Sequence, residues 1–172
     1  MNSSTEPRQG ASEYMANLEL LLQIPLFAKL PLEALKVLGF LCKRQTFKPG
    51  EMIFHQHELD PNAYFIIEGS ARLVHENGRE ELLTEYKEGN FLGGLSLFSD
   101  IKRLFSLRAV SKVTCLTLSR EKFQKTLQQF PDIAGRLFEN AVRSIYEWEA
   151  GLLGGHALDC PQCRANVGVT LV

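Results

Sequence analysis

The spacing of apolar positions divides the chain into three zones. From Tyr14 to Leu41 the spacing is helical. Pro31 suits a first helical position, Leu32, Leu35 and Leu38 then share one face, and Ile24-Pro25-Leu26-Phe27 interrupts the helix before it. From Cys42 to Leu118 the pattern is one of short strands between turns. Pro49-Gly50 fits the two central positions of a type II turn, with Met52 to His55 as the strand that follows. Ala63 to Ile67 is aromatic and β-branched, as expected of a buried strand. Ala71 to Val74 leads into Asn77-Gly78, a strong hairpin signal, and Glu81 to Tyr86 returns from it. Gly89-Asn90 turns again, and Phe105 to Val110 and Val113 to Leu118 complete the strands. The third zone is helical. Ser119 is positioned to cap a helix to about Gln129, and Pro131 punctuates it. Ile133, Leu137, Ala141, Ile145 and Trp148 then form one stripe of a long helix, with Ala134, Phe138 and Val142 beside it. So broad an apolar face suits packing on the strands and equally suits presentation to a second copy.

The predicted fold is mainly β with flanking helices: a jelly-roll-like β-roll (a double-stranded β-helix) with N-terminal helices and a long C-terminal helix. The expected domain covers residues 14–150, after a disordered leader (1–13) and before a flexible tail (151–172). The 172 residues suffice for one hydrophobic core. The formal net charge of -1 gives no general attraction to nucleic acid or anionic lipid. No apolar run approaches the roughly 20 residues of a membrane helix, and the polar N-terminus lacks the apolar segment of a secretory signal. These features lead to the expectation of a cytoplasmic protein with no membrane partner.

The candidate chemistry lies in Gly89-Asn90-Phe91-Leu92-Gly93-Gly94-Leu95-Ser96-Leu97, with Arg103 a short loop later. Adjacent glycines let backbone N–H groups approach a ligand, and a helical turn over Gly94–Phe98 would add free N–H groups. Arg103 would supply a fork of charged donors to a phosphate. Taken alone, the stretch is also compatible with a tight turn beside a surface arginine.

Other constellations point elsewhere. His55-Gln56-His57 on a strand would direct two imidazoles to one face, as a metal site needs. With Gly50 and Gly69 it resembles the first motif of the cupins, which implies a metal-dependent enzyme. That motif wants a glutamate with three or four residues between it and the second histidine, where Pro61 or Asn62 stands; Glu58 and Asp60 are out of place, and no histidine follows soon after Gly89. Cys160-Pro161-Gln162-Cys163 is half of a zinc knuckle, with His156 as a candidate third ligand. The other reading of these residues is a tail with reactive thiols. Cys42 and Cys115 sit in apolar stretches as small core residues. No G-x-S-x-G, nucleophilic triad or paired carboxylate is visible, so no catalytic residue is expected.

The order of elements, from Pro49-Gly50-Glu51 through Tyr64-Phe65-Ile66-Ile67-Glu68-Gly69 to Phe91–Ala109, resembles the cyclic nucleotide-binding domain family over about Leu18 to Trp148. The family's phosphate cassette reads F-G-E-L-A-L, a short loop, then R-[AS]-[AT]. The matching residues are Leu92-Gly93-Gly94-Leu95-Ser96-Leu97, then Arg103-Leu104-Phe105. The resemblance implies a regulatory domain whose ligand is cyclic AMP, cyclic GMP or a related small anion, and which needs no other cofactor. It implies that Arg103 pairs with the cyclic phosphate, that the backbone around Gly93, Leu95 and Ser96 contacts it, and that Leu92, Gly94 and Leu104 belong to the same wall. It also implies that the C-terminal helix relays occupancy to an effector or a homodimer partner.

Two positions depart from the pattern. The family's glutamate, which accepts from the ribose 2′-hydroxyl, is Gly94 here; losing a charge-assisted hydrogen bond costs about 1.5–3 kcal/mol. The small residue after the arginine is Leu104, whose isobutyl group crowds the phosphate. Ser96, in place of alanine, can return one hydrogen bond but no charge. The cassette therefore reads either as a degenerate ligand site or as the vestigial pocket of a dimerisation scaffold. Relatives that regulate transcription carry a helix-turn-helix after the long helix; the two dozen residues beyond Trp148 are too few for one, so no direct DNA binding is expected.

Overall fold

The computed structural model describes residues 6–76 and 80–154. The helical zone gives α1 (Glu6–Leu21), a 3-10 turn at Pro25–Phe27 and α2 (Leu32–Leu41). The strands are β1 (Lys43–Phe47), β2 (Met52–Phe54), β3 (Asn62–Glu68), β4 (Ser70–Glu76), β5 (Glu80–Lys87), β6 (Phe91–Leu92), β7 (Ser106–Ala109) and β8 (Val113–Ser119). Then come α3 (Arg120–Gln129), a 3-10 turn at Pro131–Ile133 and α4 (Ala134–Gly154).

Two four-stranded antiparallel sheets, ordered β1-β8-β3-β6 and β2-β7-β4-β5, form the expected β-roll. The apolar run of β3 explains how they stack. Successive side chains of a strand point to opposite faces. Ala63 and Phe65 join Leu116 and Leu118 of β8 in a core shared with the helices, including Leu21, Phe27, Leu38, Phe123 and Leu137. Tyr64 and Ile66 join Val113 and Cys115 on the other face, against Phe54, Ala71 and Leu107 of the second sheet. Both faces of β3 are thus covered, which is why the strand reads as a continuous apolar run rather than an alternation. Its free edge pairs with β6, Tyr64 opposite Leu92 and Phe65 opposite Phe91, and this pairing delivers the glycine-containing stretch to the middle of the domain.

Several expectations need correction. The helix starts at Glu6, so residues 6–13 of the expected leader are helical; Glu6, Arg8, Gln9, Ala11 and Glu13 are tolerant of helix, Pro7 falls in the first turn where proline is accommodated, and Gly10 is left to oppose it. At the other end α4 runs to Gly154, past the expected boundary at 150. Ser119 occupies the N-cap of α3 but makes no side-chain capping bond. The strand after the Pro49-Gly50 turn ends at Phe54, because His57 turns the chain with φ +66°. The turn itself is as expected: Gly50 has φ +85° and the Glu51 N–H donates to Lys48 O at 3.0 Å. Asn77-Gly78, His156, Cys160 and Cys163 lie outside the described residues. No described helix is long and apolar enough to cross a membrane.

Candidate functional site

Beyond β6, Gly93 takes the left-handed conformation (φ +75°), and Gly94–Leu97 makes one 3-10 turn closed by the Ser96 N–H on Gly93 O at 3.0 Å. Only glycine fits at 93. A Cβ there would lie 2.7 Å from Arg103 Nη2, closer still to Nη1, and 2.9 Å from Asn62 O. The expected helical turn is therefore this shorter one, and the Ser96 N–H is already engaged within it.

Arg103 is held by the loop between β2 and β3. The His57 N–H donates to Arg103 O at 2.7 Å, and the Arg103 N–H donates to Glu58 O at 2.9 Å. The side chain donates to Asp60 Oδ2 through Nε (3.3 Å) and Nη2 (2.7 Å), and Nη2 also donates to Asn62 O. Its guanidinium lies 4.3 Å from the centre of the Phe54 ring, within cation–π range. Arg103 is 8% exposed and Asp60 5%, so the ion pair is buried. Asp60 Oδ1 accepts from the Asn62 N–H (3.2 Å) and Nδ2 (2.6 Å), which completes its bonding. Burial, and then the Asp60 charge, push the nearby Tyr64 hydroxyl well above the usual tyrosine range. Arg103 Nη1 makes no hydrogen bond among the described residues and faces Gly93.

A cavity of about 420 Å³ opens here, and all seven residues expected of the site line it: Leu92, Gly93, Gly94, Leu95, Ser96, Arg103 and Leu104. Leu26 of the first 3-10 turn closes one side, Phe54, Leu73 and Tyr86 of the second sheet another, and Ala141, Ser144 and Ile145 of α4 a third. Among the described residues the wall holds no carboxylate side chain. Leu104 is 42% exposed and Phe105 packs edge-on against His75, so neither fills the space. The Ser96 hydroxyl is completely buried and has no hydrogen-bond partner among the described residues. Such a group ordinarily costs about 1–3 kcal/mol unless something bonds to it.

Gly94 has different surroundings. A Cβ on it would lie 2.8 Å from Phe91 Cε1 and 3.5 Å from Leu26 Cδ2. The Phe91 ring occupies the space a side chain would need, and it is fixed edge-on against Phe27 at 6.0 Å. Phe27 contacts Phe123 (6.5 Å), which contacts Phe98 (5.2 Å), so one aromatic cluster brackets both ends of the turn.

Two important residues carry no signal in the sequence reading. Asp60 appears there only as a misplaced metal ligand. Arg120, the first residue of α3, donates through Nε to Ser96 O at 2.6 Å and through Nη1 to Asp100, while its own N–H donates to Pro61 O at 2.8 Å. It fastens the cassette and the Asp60 loop to the same helix end. Neither pairing is legible locally, since each spans twenty or more residues. The histidine pair finds its place as backbone around Arg103: the His55 N–H is taken by Glu58, and the left-handed turn at His57 removes the strand geometry that would align two imidazoles. Among the described residues no group of three or more His, Cys, Asp and Glu side chains could hold a metal.

The profile of the cyclic nucleotide-binding domain family matches residues 44–130. The chain is 32% identical over 117 residues to a cAMP-dependent protein kinase regulatory subunit of Blastocladiella emersonii, covering 66% of this chain and 29% of that protein. It is 29% identical over 107 residues to the cAMP-activated global transcriptional regulator CRP of Salmonella typhimurium, covering 60% of this chain and 51% of the regulator. It thus spans less than a third of the kinase subunit and about half of the regulator. Among solved structures, the N-terminal domain of a transcriptional regulator from Streptomyces coelicolor superposes with a TM-score of 0.68 at 27% identity, over 77% of this chain and 93% of that one. The regulatory domain of Toxoplasma gondii PKA with cAMP shares the fold, with a TM-score of 0.62 at 19% identity over 73% of this chain and 49% of that one. The two-sheet roll, the turn at Gly93–Leu97 with its arginine, and a profile match over half the chain together show that this chain belongs to the cyclic nucleotide-binding domain family.

Proposed function

We propose that the chain is a non-catalytic sensory domain that binds a cyclic nucleotide, or a closely related small anion, through a degenerate cassette. The observation that carries this reading is the Arg103 Nη1 edge, without a hydrogen bond among the described residues, beside the left-handed Gly93 in the wall of the cavity. A cyclic phosphate oxygen would accept from that charged donor. The apolar remainder of the cavity suits a base and sugar. Relatives named for cAMP support the choice of ligand class.

The relay would run through α4. Asn140 donates to Leu26 O at 3.0 Å and Ala28 O at 2.9 Å, and Arg136 donates to Lys29 O. Leu26 and α4 both line the cavity, so a ligand that displaces one strains the bonds to the other. Beside its cavity-lining residues α4 exposes Phe138, Val142 and Tyr146, four residues apart, as a stripe suited to a second copy. We place the protein in the cytoplasm.

Calorimetric titration with cyclic AMP and cyclic GMP tests the reading. Saturable binding of one of them, weakened in Arg103→Lys, is expected; no binding of either at millimolar concentration overturns it. The Phe91 ring over Gly94 favours a second reading, a ligand-free dimerisation scaffold. That reading predicts no binding together with a dimer lost in Phe138→Glu.

A further inference from the structure

The loop from Phe98 to Arg103 carries three charged side chains that differ in one respect. Asp100 is bonded to Arg120, and Arg103 is buried against Asp60. Lys102 is exposed, lines the cavity, and has neither an ion pair nor a hydrogen bond among the described residues. With Asp60 against it, Arg103 presents directional donors but little net charge. Among the described residues no carboxylate lines the cavity to neutralise Lys102.

We propose that Lys102 is the anion-attracting residue of this site, supplying the net positive charge that a singly charged cyclic phosphate meets on entry, while Arg103 supplies geometry. This rests on the cyclic-nucleotide reading above. The division follows from the physics of the two cations. A buried, bidentate guanidinium orients an acceptor, but its field is largely cancelled by its carboxylate partner. An ammonium on a flexible stem at the mouth follows the ligand, and its attraction is screened by salt. Lys102 is also the cation that can be removed without uncovering a buried carboxylate.

The test compares wild type, Lys102→Gln and Lys102→Arg by cyclic AMP and cyclic GMP titration at low and high ionic strength. Lys102→Gln should bind about three- to tenfold more weakly at low salt, with the gap closing at high salt as screening removes the term it lost. Lys102→Arg should stay close to wild type. If wild type binds and Lys102→Gln binds equally well at low salt, the role of Lys102 is overturned and the cyclic-nucleotide reading stands. A loss of the same size at both salt concentrations overturns the charge assignment in favour of a packing role. If wild type binds neither nucleotide, both readings fall together.

Discussion

Arg103 and Gly94 both adjoin Gly93, yet their surroundings differ in kind. Around Arg103 the loop from His55 to Asn62 supplies bonds to backbone and side chain alike, and an aromatic ring lies against the guanidinium. Around Gly94 there is apolar packing: Phe91 fills the space above it and Leu26 stands behind. The Arg103 end of the cavity has a built polar shell, whereas at Gly94 the wall is apolar and the half-buried Phe91 ring stands where a side chain would go.

The sharpest way to break this contrast is at the ion pair. Arg103→Ala leaves Asp60 buried without its cation, and urea denaturation should show a loss of about 3–5 kcal/mol. Adding Asp60→Ala should recover much of it. A single-variant loss near zero would mean that the pair is not buried as described. On the other side, Gly94→Glu forces the Phe91 ring to move, for an expected cost of about 1–3 kcal/mol, and Phe91→Ala in the same chain should relieve the clash. Equal destabilisation with and without Phe91 would dissociate the ring from the loss of the glutamate. At Gly93 itself, an alanine should cost at least about 1–2 kcal/mol from the left-handed backbone alone and should displace Arg103 besides. Thermal denaturation measures the first effect and nucleotide titration the second.

A pH-dependent effect comes from the core beneath. Burial pushes the Cys42 and Cys115 thiols from 9.0 up to about 12. Unfolded thiols ionise near pH 9 and folded ones three units later, so their contribution to stability is complete below pH 9 and is lost as pH rises towards 12. In Cys42→Ala/Cys115→Ala the decline in stability between these values should be shallower than in wild type.

Much of the fold follows from local sequence. The buried strand at Ala63–Ile67, the type II turn at Pro49-Gly50 and the stripe through Ile133, Leu137 and Ala141 all follow from short-range rules, and all are present. Strand β1 was harder: Lys-Arg-Gln-Thr-Phe is polar and exposed, and it is a strand because β8 offers it an edge rather than because of its own preference. All seven expected cavity residues line one wall because they lie on one loop that β3 holds in place. Asp60, Arg120 and Lys102 escaped because their significance depends on which charges the fold neutralises, and those partners are distant in the chain.

The contrast between the two ends of the cavity is tested most directly by titrating cyclic AMP beside its 2′-deoxy analogue, and cyclic GMP beside its own. With no carboxylate to accept from the sugar, each pair should bind within about twofold of one another, whereas a charge-assisted bond to the 2′-hydroxyl would separate them by an order of magnitude or more. Equal, saturable binding is the predicted result. A tenfold preference for the ribose forms, or no binding by any of the four, would contradict the account.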